Sequence, residues 1–232
     1  MKVAIIPARG GSKRIEKKNI KFFCGKPIIS RSIEIAHKTK LFDKIIVSTE
    51  NKEIASIARR NNAETPYIRP FKLAGDRIGT EVVVSHAIRW LNNQGEYPHA
   101  VCCIYPTAVF AKPADIIKAY KKMINGNWNY VFSATTFQST VIRSFTKLQN
   151  HGVKMLFPSK YNSRTQDLKK TYHDAGQFYW GRPEAWLKLK PVFNQLSTII
   201  NISRWRAHDI DTLEDWKQAE IIYKSLMKKK YD

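Results

Sequence analysis

The chain has 232 residues, 43% of them hydrophobic, and its 40 lysines and arginines outnumber 19 acids for a net charge of +21. That length suits one large domain with a sizeable core, and no apolar run reaches the ~18 residues that a membrane-spanning helix needs. The charge predicts attraction to anionic substrates or polyanions, yet the lysines are scattered, with small clusters at 118–122, 169–170 and 228–230, and no nucleic-acid module is recognisable.

Residues 2–6 read as a short buried strand. Pro7 ends this apolar stretch too early for the hydrophobic region of a signal peptide. A Gly10-Gly11 turn follows, surrounded by Arg9, Lys13, Arg14, Lys17 and Lys18. Pro27 stands where a helix can begin, with Ile28, Ile29, Ile33 and Ala36 as its stripe. "KIIVST" (44–49) is a second buried strand, and "NKEIASIARRNNA" (51–63) a helix ending near Asn61 and Asn62. "TPYIRP" (65–70) is a short extended piece. Thr80 has the chemistry of an N-cap for a helix burying Val83, Val84, Ala87, Ile88 and Leu91. "VCCIYP" (101–106) is a third strand, 114–124 a basic helix and "YVFSAT" (130–135) a fourth strand. Cys24, Cys102 and Cys103 make no disulfide framework and read as small core residues of a reducing cytoplasm.

Residues 136–172 break this rhythm. They are polar, aromatic and basic, an excursion that serves as a lid or a dimer arm. "GQFYWG" (176–181) resumes as a strand, and 213–227 is the closing helix. Thr212 and Asp215 have capping-box spacing, and 228–230 suit that helix's C-terminal dipole. Strands alternating with helices predict an α/β domain with a mostly parallel sheet. Such sheets bind ligands at the carboxyl ends of their strands, where the basic glycine loop and Tyr105-Pro106-Thr107 both fall.

Three stretches carry candidate chemistry. The first loop is neither a Walker A motif nor GxGxxG. Its glycines allow amides to point at an anion and its cations would neutralise one, although a solvated glycine turn explains the loop alone equally well. In "HDIDT" (208–212), an extended backbone puts Asp209 and Asp211 on one side and Ile210 toward the core, an oxygen-rich pair suited to Mg2+. Cap chemistry before the last helix is the plainer reading. A phosphate loop and paired aspartates on one α/β domain suit an enzyme of nucleoside triphosphates. The third stretch, 164–182, is dense in Arg164, His173, Asp174, Gln177 and Tyr179. Its histidine, like His208, reads as an ordinary hydrogen-bonded residue, and Phe178 and Trp180 read as core.

"IIPARGGSKRIEKKN" resembles the first motif of the acylneuraminate cytidylyltransferases, the CMP-sialic acid synthetases. "FDKIIVSTE", "RPFKLAGDRIGT", "YPTAVF" and "DIDT" follow in that family's order, so the resemblance spans essentially the whole chain. "CCIYPTA" and "YHDAGQFYWGRPEAW" look most like its pseudaminic acid branch. The resemblance implies a Rossmann-like nucleotidyltransferase domain in a cytoplasmic homodimer, with 136–172 reaching toward the partner. It implies Mg2+-assisted attack by the anomeric hydroxyl of a nine-carbon acid sugar on the α-phosphate of CTP, with no membrane or specific nucleic acid as partner. By this match Arg9, Ser12, Lys13 and Lys18 bind the triphosphate, Asn19 lies beside the nucleotide, and Arg69 and Thr80 lie near the cytosine. Lys18, Asp209 and Asp211 are the catalytic set, and the two aspartates hold the metal. Tyr105, Arg143, Arg164, Asp174 and Gln177 meet the sugar.

Four departures stand out. Tyr105 replaces the usual glutamine, and His173-Asp174-Ala175-Gly176 replaces an Arg-x-Asn-Gly stretch. Both lie on the sugar side and count against N-acetylneuraminate as the substrate. Glu16 and Val109 stand where prolines are usual. Another acid sugar, such as legionaminic acid, is the enzymatic alternative. A basic nucleic-acid-binding protein is the alternative of another class, and it rests on charge alone.

Overall fold

The computed structural model describes residues 1–149 and 151–228. Its centre is a six-stranded sheet. The strands and helices alternate from β1 (Lys2–Pro7) through a two-residue ladder of β2 (Phe22–Phe23) and β3 (Lys26–Pro27) to α1 (Ile28–Lys38), β4 (Lys44–Ser48) and α2 (Lys52–Arg60). Then come α3 (Thr80–Asn93), β5 (Ala100–Ile104), α4 (Pro113–Ile124) and β6 (Tyr130–Thr136). The excursion carries a small hairpin of β7 (Phe145–Lys147) and β8 (Val153–Met155). The chain closes through β9 (Tyr172–Gly181), α5 (Pro183–Leu187), β10 (Ser197–Asn201) and α6 (Leu213–Lys228).

The order across the sheet is β10-β6-β9-β5-β1-β4. All pairings are parallel except those of β9, which runs antiparallel between β5 and β6. The expectation of a mostly parallel sheet therefore holds, with one reversed strand inside it. Period-two alternation sorts each strand's side chains onto two faces. Ala4, Ile6, Val47, Cys102 and Trp180 join one apolar layer, while Val3, Ile5, Ile46, Val101 and Tyr179 join the other. Helices α1, α2 and α4 cover the first face, and α3 and α5 the second. A third cluster, Ile15, Phe23, Ile28, Val109, Phe110, Ile210 and Trp216, pins the opening loop and the 208–212 segment against α6.

Local chemistry fixes several helix ends. Asn51 accepts hydrogen bonds from Glu53 and Ile54 amides and caps α2. Thr212 and Asp215 form a reciprocal box: Asp215 Oδ2 accepts the Thr212 amide at 2.7 Å and Thr212 Oγ1 accepts the Asp215 amide at 3.1 Å. The expected pairing of 228–230 with the end of α6 falls outside the described residues. Two expectations need correction. Thr80 is not the N-cap of α3: Gly79 holds that place in extended backbone and Thr80 is the first helical residue. Residues 208–212 form no ladder, although their alternation survives, with Ile210 fully buried between two cleft-facing aspartates.

The antiparallel β9 has a consequence for the site. It begins at the carboxyl edge of the parallel strands, where Thr136 pairs with Tyr172. Its register against β6 jumps from Phe132–Tyr179 to Ala134–Asp174, so four β9 residues bulge past one on the partner. Gly176 sits in that bulge at φ +60°, a conformation open to glycine, and its amide donates to Asp174 Oδ1 at 3.0 Å. The bulge aims Asp174 toward the cleft edge, as bulges beside active sites do.

Candidate active site

Two neighbouring clefts open along the carboxyl edge of the sheet. The first, of about 320 Å³, is lined by Arg9, Ser12, Lys13, Arg14, Lys18 and Asn19 from the opening loop. Arg69, Asp76 and Thr80 close one side, and Tyr105, Asp209 and Asp211 the other. All seven residues matched to CTP and both matched to a metal thus meet in one place. The second cleft, of about 510 Å³, is lined by Glu81, Asp174, Tyr179, Trp186 and 189–193. Thr80 and Tyr105 belong to both. Their hydroxyls lie 3.3 Å apart, so the pair forms the threshold between the two spaces.

The opening loop owes its shape to identifiable contacts. Lys17 adopts a left-handed backbone at φ 50°, and its carbonyl accepts the Ile20 and Lys21 amides. This tight turn directs Lys18 and Asn19 inward. Asn19 is buried and its Nδ2 donates to the Arg9 carbonyl at 2.8 Å, tying the two ends of the loop. Lys18 Nζ donates to the Ile210 carbonyl at 2.8 Å and reaches Asp211 Oδ1 at 3.2 Å. Arg14 meets Asp211 Oδ2 at 2.9 Å. The cationic loop and the aspartate segment, about two hundred positions apart in sequence, are therefore joined by charge.

The aspartates have an oxygen-rich donor set suited to a hard divalent cation. Burial in the cleft, then the neighbouring Asp211 charge, pushes the Asp209 carboxyl above its ordinary value. A cation would relieve both effects, since each disfavours the ionised acid. No group of three or more His, Cys, Asp or Glu side chains arranged to hold a metal occurs among the described residues. Asp209 and Asp211 are therefore the carboxylates of this cleft that could hold a divalent cation, with its other positions left to non-protein oxygens.

Two carboxylates of this edge carry functional placement that reading by motif missed. Asp76 ion-pairs with Lys13 at 2.6 Å and with Arg9. Those partners, Lys13 first, hold its carboxyl below the usual range. Glu50 accepts the Gly10 amide at 2.6 Å and the Arg69 guanidinium at 2.6 Å. Burial alone would raise its pKa, but these hydrogen bonds outweigh it and the carboxyl sits low. Each residue stands inside a quoted motif, and an acid within so basic a chain was the available signal.

The five residues matched to the sugar do not gather. Tyr105 and Asp174 line the second cleft. Tyr179 donates its hydroxyl to Asp174, and burial pushes its pKa far up, so it remains a protonated donor. Tyr105 is pushed up to about 12, chiefly by burial and then by its neighbour Cys103. Gln177, however, is 2% exposed and donates to the Arg206 carbonyl, so its side chain braces the segment before 208–212 and lines neither cleft. Arg143 and Arg164 lie exposed on the excursion, bound to the Ser163 carbonyl and, at 2.7 Å, to Asp167. Neither lines either cleft. His173 bonds the Asp174 carbonyl, the ordinary role expected of it, whereas His208 packs its ring on Phe110.

Comparison with known proteins supplies the family. Residues 3–230 match the family model described as Cytidylyltransferase. The chain is 40% identical over 222 residues to the pseudaminic acid cytidylyltransferase of Campylobacter jejuni, covering 96% of each protein. It is 34% identical to the CMP-N,N'-diacetyllegionaminic acid synthase of Legionella pneumophila, over 94% of each. Among solved structures it resembles a CMP:2-keto-3-deoxy-manno-octonic acid synthetase complexed with CTP, with a TM-score of 0.72 over 99% of each chain at 12% identity, which bears on the fold alone. The chain belongs to the cytidylyltransferase family and is a nucleotidyltransferase.

Proposed function

We propose that the enzyme activates pseudaminic acid, transferring CMP from CTP to the sugar's anomeric hydroxyl in the cytoplasm, where CTP is made, as a homodimer that uses Mg2+. The observation that carries this reading is the pair of clefts joined at Thr80 and Tyr105, one cationic and one part apolar. The triphosphate would lie among Arg9, Ser12, Lys13 and Lys18. Arg69 Nε is buried at the cleft without a hydrogen-bond partner among the described residues, a donor suited to the acceptor edge of cytosine. The sugar would occupy the second cleft, with Asp174 and Tyr105 on its hydroxyls and Trp186, Val192 and Phe193 against its acyl and methyl groups.

In this arrangement the sugar oxygen forms a bond to the α-phosphorus as the α–β bridging bond breaks. Pyrophosphate leaves with the bonding electrons, and the hydroxyl proton is released. Lys18, fixed by Ile210 and Asp211, offers its ammonium to the charge that builds on the phosphates. Asp209 and Asp211 would hold Mg2+, which when bound neutralises phosphate charge and polarises the phosphoryl group. The homodimer is supported by exposed apolar side chains on the excursion, including Phe145 and Val153, each 64% exposed.

The test is pyrophosphate release from CTP with pseudaminic, legionaminic and N-acetylneuraminic acids. Preference for the first is expected. Equal or better turnover of another acid sugar would replace the substrate, and no release with any of them would overturn the reaction.

A further inference from the structure

We infer that Glu50 is a positioning residue for the nucleotide, locking the phosphate loop and the Arg69 guanidinium into one rigid unit. Glu50 follows β4 at the carboxyl edge of the sheet. Its Oε1 accepts the Gly10 amide and its Oε2 accepts Arg69 Nη2, both at 2.6 Å. Arg69 is 3% exposed, and its own amide donates to the Thr49 carbonyl at 2.9 Å. Gly10 approaches so closely that a Cβ there would lie 2.7 Å from Asn51 Nδ2. Three segments thus converge on a single carboxylate: the loop after β1, the turn after β4 and the strap leading to α3.

Charge makes the arrangement specific. A buried guanidinium needs a counter-charge, and only a carboxylate can accept from both donors while supplying one. An amide in its place must turn its NH2 group toward either Gly10 or Arg69, both of which are donors. Glu50 is not among the residues lining the first cleft. It therefore acts through Gly10 and Arg69, holding the triphosphate and base sides of the cleft at a fixed separation.

The inference rests on the proposed nucleotide site, and the experiment separates the two. CTP and UTP dissociation constants, acid-sugar KM and melting temperature are measured for Glu50→Gln, Glu50→Asp, Arg69→Ala and the Gln/Ala double variant. Glu50→Gln is expected to weaken CTP binding roughly ten- to hundredfold, the loss expected for a charge-assisted contact. It should also shrink the preference for CTP over UTP, because N3 is an acceptor in cytosine and a donor in uracil. Sugar KM should stay within about twofold, and the double variant should lose much less than the sum of the single ones. Glu50→Asp keeps the charge and should recover part of the affinity. Unchanged CTP binding in Glu50→Gln beside a weakened Arg69→Ala would overturn the Glu50 role alone. Unchanged binding in Arg69→Ala would overturn the nucleotide site and this role with it. Equal losses for CTP and sugar, additive losses, or failure of both Glu50 variants to fold would make the residue structural and overturn the inference.

Discussion

At the residue scale, four of the five opening-loop cations already have anionic partners inside the cleft. Asp76 sits on Arg9 and Lys13, and Asp211 on Arg14 and Lys18. A triphosphate entering this cleft would compete with Asp76 for Arg9 and Lys13. Asp76→Asn removes the internal competitor and should tighten CTP binding by roughly two- to fivefold at low salt, the scale of exposed ion pairs. The gain should fade as salt screens the loop. Weaker binding in a titration would make Asp76 a ligand or a support. Asp209 gives a pH-dependent expectation. Its folded pKa is raised, so its stabilising protonated form is fully present below the unfolded value and lost as pH rises through the folded one. At neutral pH without metal, Asp209→Asn should therefore melt above the parent, and the difference should vanish near pH ~4. The same variant should turn over far more slowly with Mg2+ present. Normal turnover would remove the metal assignment. The residue types of this cleft were legible because glycine, lysine and aspartate carry obvious chemistry. The joining of Lys18 to Ile210 was not, because it spans nearly the whole chain.

At the scale of elements, local signals and long-range pairings differ in what a sequence reveals. Helices α1, α2 and α4 and strands β1, β4 and β5 follow from periodicity, proline and apolar runs, since each signal lies within the element. The direction of β9 does not. Buried on both faces, Phe178, Tyr179 and Trp180 look the same in either orientation, and the choice is made by β5 and β6 on its flanks. The same pairing produces the bulge that separates Asp174 from Gln177, two residues that a motif presents as neighbours. Thr80 shows another limit. Its cap chemistry is real, but Gly79 takes the cap and leaves the threonine hydroxyl for Tyr105. The Thr212–Asp215 box, entirely local, came through intact. Thr212→Ala should cost roughly 0.5–2 kcal/mol in denaturant unfolding. It should leave the Mg2+ dependence of turnover unchanged if the aspartates act independently of the cap. A shifted Mg2+ requirement would mean that α6 and the metal pair are one unit.

At the scale of the whole molecule, the excursion presents a physical problem that the chain alone does not solve. Phe145, Leu148, Val153, Leu156, Phe157 and Tyr161 are all at least two-fifths exposed on a segment carrying one short hairpin. Arg143 and Arg164 stand on the same segment, away from both clefts of their own chain. A second copy would answer both points, covering the apolar side chains and bringing an arginine to the partner's sugar. A carboxylate substrate suits this role because guanidinium offers it a planar two-pronged contact. The consequence can be separated from ordinary loss of stability. Phe145→Glu with Val153→Glu places like charges on diagonal positions of one hairpin face, with little expected effect on the central sheet. Sedimentation should then show dimers in the parent and monomers in the variant, while melting shifts little. CTP binding, confined to one chain in this reading, should persist, and sugar KM should rise at least tenfold, as for a lost contact to a charged group. Arg164→Ala in the dimer should raise sugar KM alone, with Arg164→Lys recovering only part. A parent that sediments as a monomer at assay concentration would remove the shared site. A monomeric variant with unchanged sugar KM would show instead that each subunit completes its sugar cleft alone, leaving Tyr105, Asp174 and Tyr179 to hold the substrate without help from the excursion.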